Sequence, residues 1–514
     1  MKSTLLGRLA ALTAVAVLAG APMATPAFAQ EASPPAAEAV AAAPAEAAPA
    51  PAPAPEAAAP AVAETPTIET SMNKADNAWM MLSALLVLLM IIPGLALFYG
   101  GLVRQKNMLS MLMQVSTVTV VGMITWALWG YSLAFTDGGT ADLFVGGLDK
   151  MFLKGVTTAS EVGTFSVGTN VPELTFLAFQ MTFACITAAL VLGGLAERLK
   201  FSATVMFSVL WPILVYYPMA HMVWWWAGPD SVALNPEAPI QAGLLWSWGA
   251  LDFAGGTVVH INAGIAALAG ALILGKRSGY QKEPMPPHSL TLTLVGAGLL
   301  WVGWFGFNAG SNMEANSYAS LAMVNTFLAT AAAGFSWMLV EWVTRKKASM
   351  LGLASGIVAG LVAVTPAAGF AGPMGAIILG LIVSPICVVF CSAIKNALKY
   401  DDSLDAFGIH AIGGIVGAIA TGLLVNPEWG GAGVVDYTTC AADGDITTCD
   451  NGTYVMATQV LAQVKAVAFT VVWSGVLSSV VFFIIKFTVG LRVSPETEEE
   501  GLDITEHGER AYHA

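Results

Sequence analysis

The chain has 514 residues, 56% hydrophobic and only 11% charged, with a formal net charge of −13. A soluble domain carries about 25% charged residues, so this balance excludes an ordinary water-soluble globule. The acidic excess does not suggest a nucleic-acid binder.

Taken in chain order, Lys2 and Arg8 precede an apolar stretch from Leu9 to Ala21, and Ala27-Phe28-Ala29 has the small-x-small form of a cleavage site. Residues 1–29 are therefore expected to be a secretory signal peptide. Residues 30–72, dominated by Ala, Pro and Glu, hold too few large apolar groups to form a core, and are expected to be a flexible linker outside the cytoplasm.

The hydrophobic pattern then predicts an all-α membrane protein over residues 73–490, because runs of roughly 20 apolar residues match the ~30 Å hydrocarbon layer. Eleven spans are expected, near 78–103, 108–135, 172–196, 202–226, 251–274, 290–311, 319–343, 350–368, 374–398, 407–425 and 457–487. Many contain Gly, which lets helices approach closely in lipid. The loops after odd-numbered spans hold Arg104, Lys106, Arg198, Lys200, Lys276, Arg277, Lys282, Arg345, Lys346, Lys347, Lys395 and Lys399; those after even-numbered spans hold Lys150 and Lys154. That bias puts the odd loops and the tail, 491–514, in the cytoplasm, and agrees with the signal peptide. The expected location is a bacterial inner membrane, N-terminus periplasmic.

Two segments recur. Gly94–Gly101 in the first span parallels Gly303–Gly310 in the sixth, and Asp252–Ile265 in the fifth parallels Asp405–Ile415 in the tenth; each of the latter has an Asp followed by His-x-x-x-Gly-Ile. Five is odd, so a second five-span copy must be inverted. Two inverted five-helix repeats plus one extra helix are expected, with a site at their interface near the midplane.

Ionisable groups inside spans are costly and mark function. Asp252, His260, Asp405 and His410 stand out, the histidines at equivalent places among small or apolar residues. Two facing imidazoles cannot both carry a charge cheaply, but they can share a proton and offer polar atoms to a small neutral solute. A metal site and two separately satisfied core histidines are the rival readings; the metal reading lacks a third ligand. Aromatic residues supply the second signal: Phe179, Phe183, Trp304, Phe305, Phe307 and the run Trp224-Trp225-Trp226. Ring faces replace part of a cation's hydration, although a tryptophan at a membrane edge also reads as a belt residue. Cys185, Cys387 and Cys391 read as packing residues. Cys440 and Cys449, in the loop after the tenth span, are placed for a disulfide on the oxidising side; a metal pair lacks nearby ligands.

The strings Ala196-Glu197-Arg198, Asp252-Phe-Ala-Gly-Gly-Thr-Val-Val-His260, Gly303-Trp-Phe-Gly-Phe-Asn-Ala-Gly-Ser311 and Asp405-Ala-Phe-Gly-Ile-His410, with the tail Glu500-Gly501-Leu502-Asp503, resemble the ammonium transporter family (Amt/Mep/Rh) from residue 73 onward. The resemblance implies an outer recruitment site of Trp224, Phe183 and Ser311, with Asp252 organising it. It implies a gate of stacked Phe183 and Phe307, and a pore lined by His260 and His410 with Trp304 beside them. It further implies ammonium as the solute, a homotrimer, and a PII-type partner on the cytoplasmic face; no cofactor or metal follows from it. Three consecutive tryptophans depart from the family pattern, so Trp224 is placed by His221-Met222-Val223-Trp224. The alternative is an ammonium sensor signalling through its cytoplasmic face. A membrane enzyme finds no nucleophile–base set to support it.

Overall fold

The computed structural model describes residues 68, 70–440, 446 and 449–512. The expected signal peptide, and all of the linker except 68 and 70–72, lie outside the described residues.

Among the described residues eleven helices are long and apolar enough to cross a membrane: α1 (Lys74–Leu102), α2 (Gln105–Phe135), α3 (Glu173–Leu195), α4 (Phe201–Trp224), α5 (Gly256–Leu274), α6 (Leu290–Gly310), α7 (Ser317–Arg345), α8 (Met350–Ala367), α9 (Pro373–Leu398), α10 (Phe407–Leu424) and α11 (Met456–Thr488). Each coincides with an expected span. Two short tail helices follow, α12 (Pro495–Glu500) and α13 (Leu502–His507). The all-α expectation needs one small amendment. Strands β1 (Ser71–Met72), β2 (Glu161–Gly163) and β3 (Thr169–Pro172) form a three-stranded sheet in the order β1-β3-β2.

The largest boundary difference is at α5, expected from 251 and observed from Gly256. The Asp252 carboxylate takes the first N–H groups of the helix, and Gly255 at φ +114° makes the turn into it, a conformation that favours glycine.

α1–α5 and α6–α10 are the two five-helix halves, running in opposite directions because five is odd. They meet through small residues. A Cβ at Gly264 of α5 would lie 2.3 Å from the Ala411 backbone N of α10. One at Gly414 of α10 would lie 3.0 Å from the Ile261 side chain and 3.1 Å from the Gly256 carbonyl of α5. Each of these glycines follows its histidine by four residues, so the same close approach is made twice. α1 and α6 meet similarly, with Gly303 and Gly306 against Leu86.

The loops after α1, α3, α5 and α9 converge on one face. There Arg104 and Arg277 both reach Glu197, and Arg277 also reaches Asp401. The tail lies on the same face. Arg492 pairs with Glu498, the Ser278 N–H donates to Glu498 at 2.9 Å, and the Phe201 N–H donates to Glu506 at 2.8 Å. The opposite face opens into a vestibule bordered by the loops after α2, α4, α6, α8 and α10. Cys440 and Cys449 are bonded in the last of these, their Cα atoms 4.4 Å apart.

Candidate functional site

The vestibule, about 780 Å³, narrows onto Phe179, Gln180, Trp224, Asp252 and Ser311. A helix start leaves its first N–H groups without partners, and a carboxylate satisfies them well. At α5 Asp252 does this completely: Oδ1 accepts from Gly255 (2.8 Å) and Gly256 (2.5 Å), and Oδ2 from Thr257 (2.7 Å) and Val258 (3.3 Å). The Thr257 hydroxyl donates to the same oxygen. Both carboxylate oxygens are thus committed to the backbone. The Asp252 carbonyl accepts from the Trp224 indole N–H at 3.0 Å, which ties the ring to the start of α5.

The three consecutive tryptophans separate into three roles. Trp224 stands edge-on to Phe183, centroids 5.8 Å apart. Trp225 stacks on His221 at 4.9 Å. Trp226 stacks on Trp246 at 5.3 Å, with Tyr437 at 4.7 Å on the loop that carries the disulfide.

Below Trp224, Phe183 of α3 and Phe307 of α6 stack with centroids 4.1 Å apart and planes 15° from parallel. Both are fully buried. Phe307 is also a wall of a second, much smaller cavity, about 10 Å³, whose lining is apolar except for His260, His410 and Trp304. Phe183 in turn contacts Trp224, which lines the vestibule, so the stacked pair links a vestibule residue to a cavity residue. Ser311 lies one turn beyond Phe307 and donates to its carbonyl at 2.8 Å.

In the cavity the two imidazoles face each other, Nδ1 to Nδ1 at 3.3 Å, with centroids 5.4 Å apart and planes at 21°. His260 is 1% exposed and His410 4%. Each sits in a wide π-type turn at the start of its helix, Gly256–Ile261 and Phe407–Ala411, a local departure common at functional sites. The Trp304 ring stacks on His260 at 5.4 Å, held by its N–H donating to Thr365 Oγ1 at 2.9 Å. Buried His260 Nε2 has no hydrogen-bond partner. Among the described residues no three His, Cys, Asp or Glu side chains gather as a metal cluster.

One pairing read from the repeat needs correcting. Asp405 was matched to Asp252, but Asp402 does the equivalent work: it accepts from Ala406 (3.0 Å), Phe407 (2.9 Å) and Gly408 (3.3 Å) at the start of α10. Asp402 precedes His410 by eight residues, as Asp252 precedes His260. Asp405, at φ +59°, instead pairs with Lys395 at 2.7 Å. Sequence reasoning also passed over Gln180 and His221, and gave Phe179 no place at the vestibule. Phe179 lies one helical turn before Phe183 on α3, a spacing that puts both on one face.

The fold and this site define a polytopic membrane protein with a small, mostly apolar cavity and two facing histidines inside a single chain. A family model described as the Ammonium Transporter Family matches residues 78–512. The chain is 43% identical over 446 residues to the ammonium transporter of Aquifex aeolicus, covering 86% of this chain and 95% of that one. It is 43% identical over 441 residues to that of Bacillus subtilis, covering 86% and 99%. The crystal structure of Saccharomyces cerevisiae Mep2 superposes with a TM-score of 0.71 at 32% identity, over 83% of this chain and 88% of Mep2. A structure titled Sensor Amt Protein matches with a TM-score of 0.71 at 26% identity, over 84% and 98%. The chain belongs to the ammonium transporter family.

Proposed function

We propose that the protein captures ammonium at the vestibule floor, strips its proton near the phenyl pair and conducts ammonia past the two histidines to the cytoplasm. One observation carries this reading: the imidazoles face each other at 3.3 Å in a cavity otherwise lined by apolar side chains and one indole. Potassium and ammonium ions are alike in size and charge, so a cation sieve separates them poorly. Ammonium can lose a proton, and a bare ion in such a cavity costs several kcal/mol or more. The neutral molecule pays far less.

Trp224, Phe183 and Ser311 form the capture site in this reading, the rings through cation–π attraction and the hydroxyl oxygen by accepting a hydrogen bond. Asp252 organises it from behind, since its carboxylate is spent on the N–H groups of α5 and on Thr257. Phe183 and Phe307 part to admit the solute, and the unpartnered His260 Nε2 offers it a polar contact. In this reading the vestibule face is periplasmic and the tail face cytoplasmic, supported by the basic residues of the odd loops. Homotrimeric assembly in a bacterial inner membrane and docking of a PII-type protein on the tail face rest on family membership.

The sensor reading draws on the docked tail and on the sensor-titled neighbour. Purified protein in liposomes separates the two. The transport reading expects a rapid internal pH change in stopped flow after an ammonium gradient, with a current on supported membranes if the proton follows. Replacing His260 or His410 with Ala should lower the flux by about tenfold or more, roughly 1.4 kcal/mol in the barrier. Flux no greater than that of empty liposomes would sink the transport reading.

A further inference from the structure

His221 lies in the last turn of α4, fully buried, three residues before Trp224. Both its ring nitrogens face carbonyl oxygens: Nδ1 is 3.1 Å from Ala134 O, and Nε2 is 2.6 Å from Asp142 O. A carbonyl can only accept. A neutral imidazole has one N–H, so it would serve one carbonyl and turn a lone pair on the other. The imidazolium has two N–H groups and serves both.

The surroundings favour that charge. Ala134 is in the last turn of α2 and His221 in the last turn of α4, so two helix C-termini point negative ends at the ring. The Asp142 carboxylate lies 3.8 Å from Nε2. The end of α2 adds only Tyr131, whose hydroxyl goes to Glu173 at 2.7 Å, and residues 242–247 bring no charged side chain. Burial opposes the charge, but a buried cation is tolerated when paired and fully hydrogen-bonded. The Trp225 face, 4.9 Å away and 12° from parallel, adds a stacking partner that favours a cation.

The ring also holds the vestibule wall. The His221 carbonyl accepts from the Trp225 N–H at 3.1 Å, and the Trp225 carbonyl from the Gly243 N–H at 2.9 Å. Trp224 continues from this anchored segment to Asp252 and Phe183. We propose that His221 is held as the imidazolium and acts as a positioning residue, joining the ends of α2 and α4 and thereby fixing where the Trp224 wall stands. The charge state stands on geometry alone; the consequence for capture rests on Trp224 being the capture ring.

Two measurements separate these. Full-length protein labelled with 15N-histidine and reconstituted in lipid is examined by solid-state NMR at pH 8, where an exposed histidine, with a pKa of about 6.5, has lost its proton. The expected result is a doubly protonated imidazole signal that disappears in His221→Gln. The absence of any such signal in the wild type overturns the proposal, whether or not the variant folds. In liposomes, His221→Gln should raise KM for ammonium ion about tenfold with kcat within about twofold, the mark of lost binding rather than lost chemistry. An unchanged KM beside a confirmed imidazolium overturns the positioning role and leaves the charge standing. If His221→Gln does not fold, Asp142→Asn keeps both ring contacts to backbone carbonyls and should move the His221 proton loss to lower pH. A titration unmoved by that change overturns the electrostatic account.

Discussion

The two faces of the bundle are finished from the same unit in different materials. At the vestibule, Asp252 caps α5 and is surrounded by aromatic rings and backbone donors. At the tail face, Asp402 caps α10 in the same way but is set among charges, Lys395 and Asp405 beside it and the Arg277 network close by. The repeat supplies the cap and the histidine eight residues on; what surrounds the cap decides its electrostatics. Under the proposed function, a vestibule that binds and releases a cation gains from rings, which attract weakly and cost little to desolvate. The tail face gains from ion pairs that lock four loops together.

Arg277 tests that locking with the largest expected effect. Its guanidinium donates to Glu197 at 2.8 Å and to Asp401 at 2.8, 3.0 and 3.2 Å. Burial works against the Glu197 carboxyl, but Arg277 and Arg104 hold it down at about 2. Arg277→Ala strips the buried Asp401 carboxylate of its paired guanidinium and leaves Glu197 to Arg104 alone, and breaking a buried pair this way costs about 3–5 kcal/mol. The expected outcome is a large drop in melting temperature in detergent. Arg345→Ala, removing an exposed guanidinium from Glu341, which keeps the Ser349 N–H and hydroxyl, should cost at most about 0.5 kcal/mol. Equal drops in the two variants would remove the locking role.

Asp402 sharpens the contrast between the two caps. Burial pushes its carboxyl up to about 6, with Lys395 opposing and Asp405 adding. The unfolded group titrates near 3.9, so between about pH 4 and 6 the folded state binds the proton more tightly. The stability this group contributes is therefore greatest below pH 4, falls as pH rises to about 6, and is level above. Asp402→Asn removes the titration. Its melting curves, compared with wild type across pH 4–7, should lack that decline, a difference on the order of 2–3 kcal/mol over the window. A wild-type-minus-variant difference independent of pH would place the carboxyl at its ordinary value.

Much of this was legible in sequence because lipid leaves few options. Each apolar run had to be a helix, and the basic loops ordered them. The histidine pair was legible because each sits in a repeated string. What stayed hidden depends on register and on distant backbone. Asp405 looked like the partner of Asp252 because it opens the recognisable string, yet the cap is fixed by distance from the helix start, which selects Asp402. His221 gave no signal as a strut, since its acceptors are carbonyls 79 and 87 residues earlier and any residue type supplies a carbonyl. The resemblance singled out Trp224 from the run of three tryptophans, and only packing assigned Trp225 and Trp226 their partners.

Between the two ends, Thr365 offers the smallest and most selective break. Its hydroxyl accepts from the Trp304 N–H at 2.9 Å and donates to Leu361 O at 2.8 Å. Thr365→Val keeps the shape and leaves a buried indole N–H without its acceptor, a loss of about 1–2 kcal/mol. The ring can regain a partner only by tilting away from His260, on which it stacks at 22°. Conduction past the histidines should then slow by roughly threefold to tenfold in kcat, while KM holds because Trp224, Phe183 and Ser311 are untouched. Stopped-flow flux across a range of ammonium concentrations separates the two parameters. A rise in KM equal to the fall in kcat would mean that the phenyl pair transmits the tilt upward, joining capture and conduction in one rigid unit.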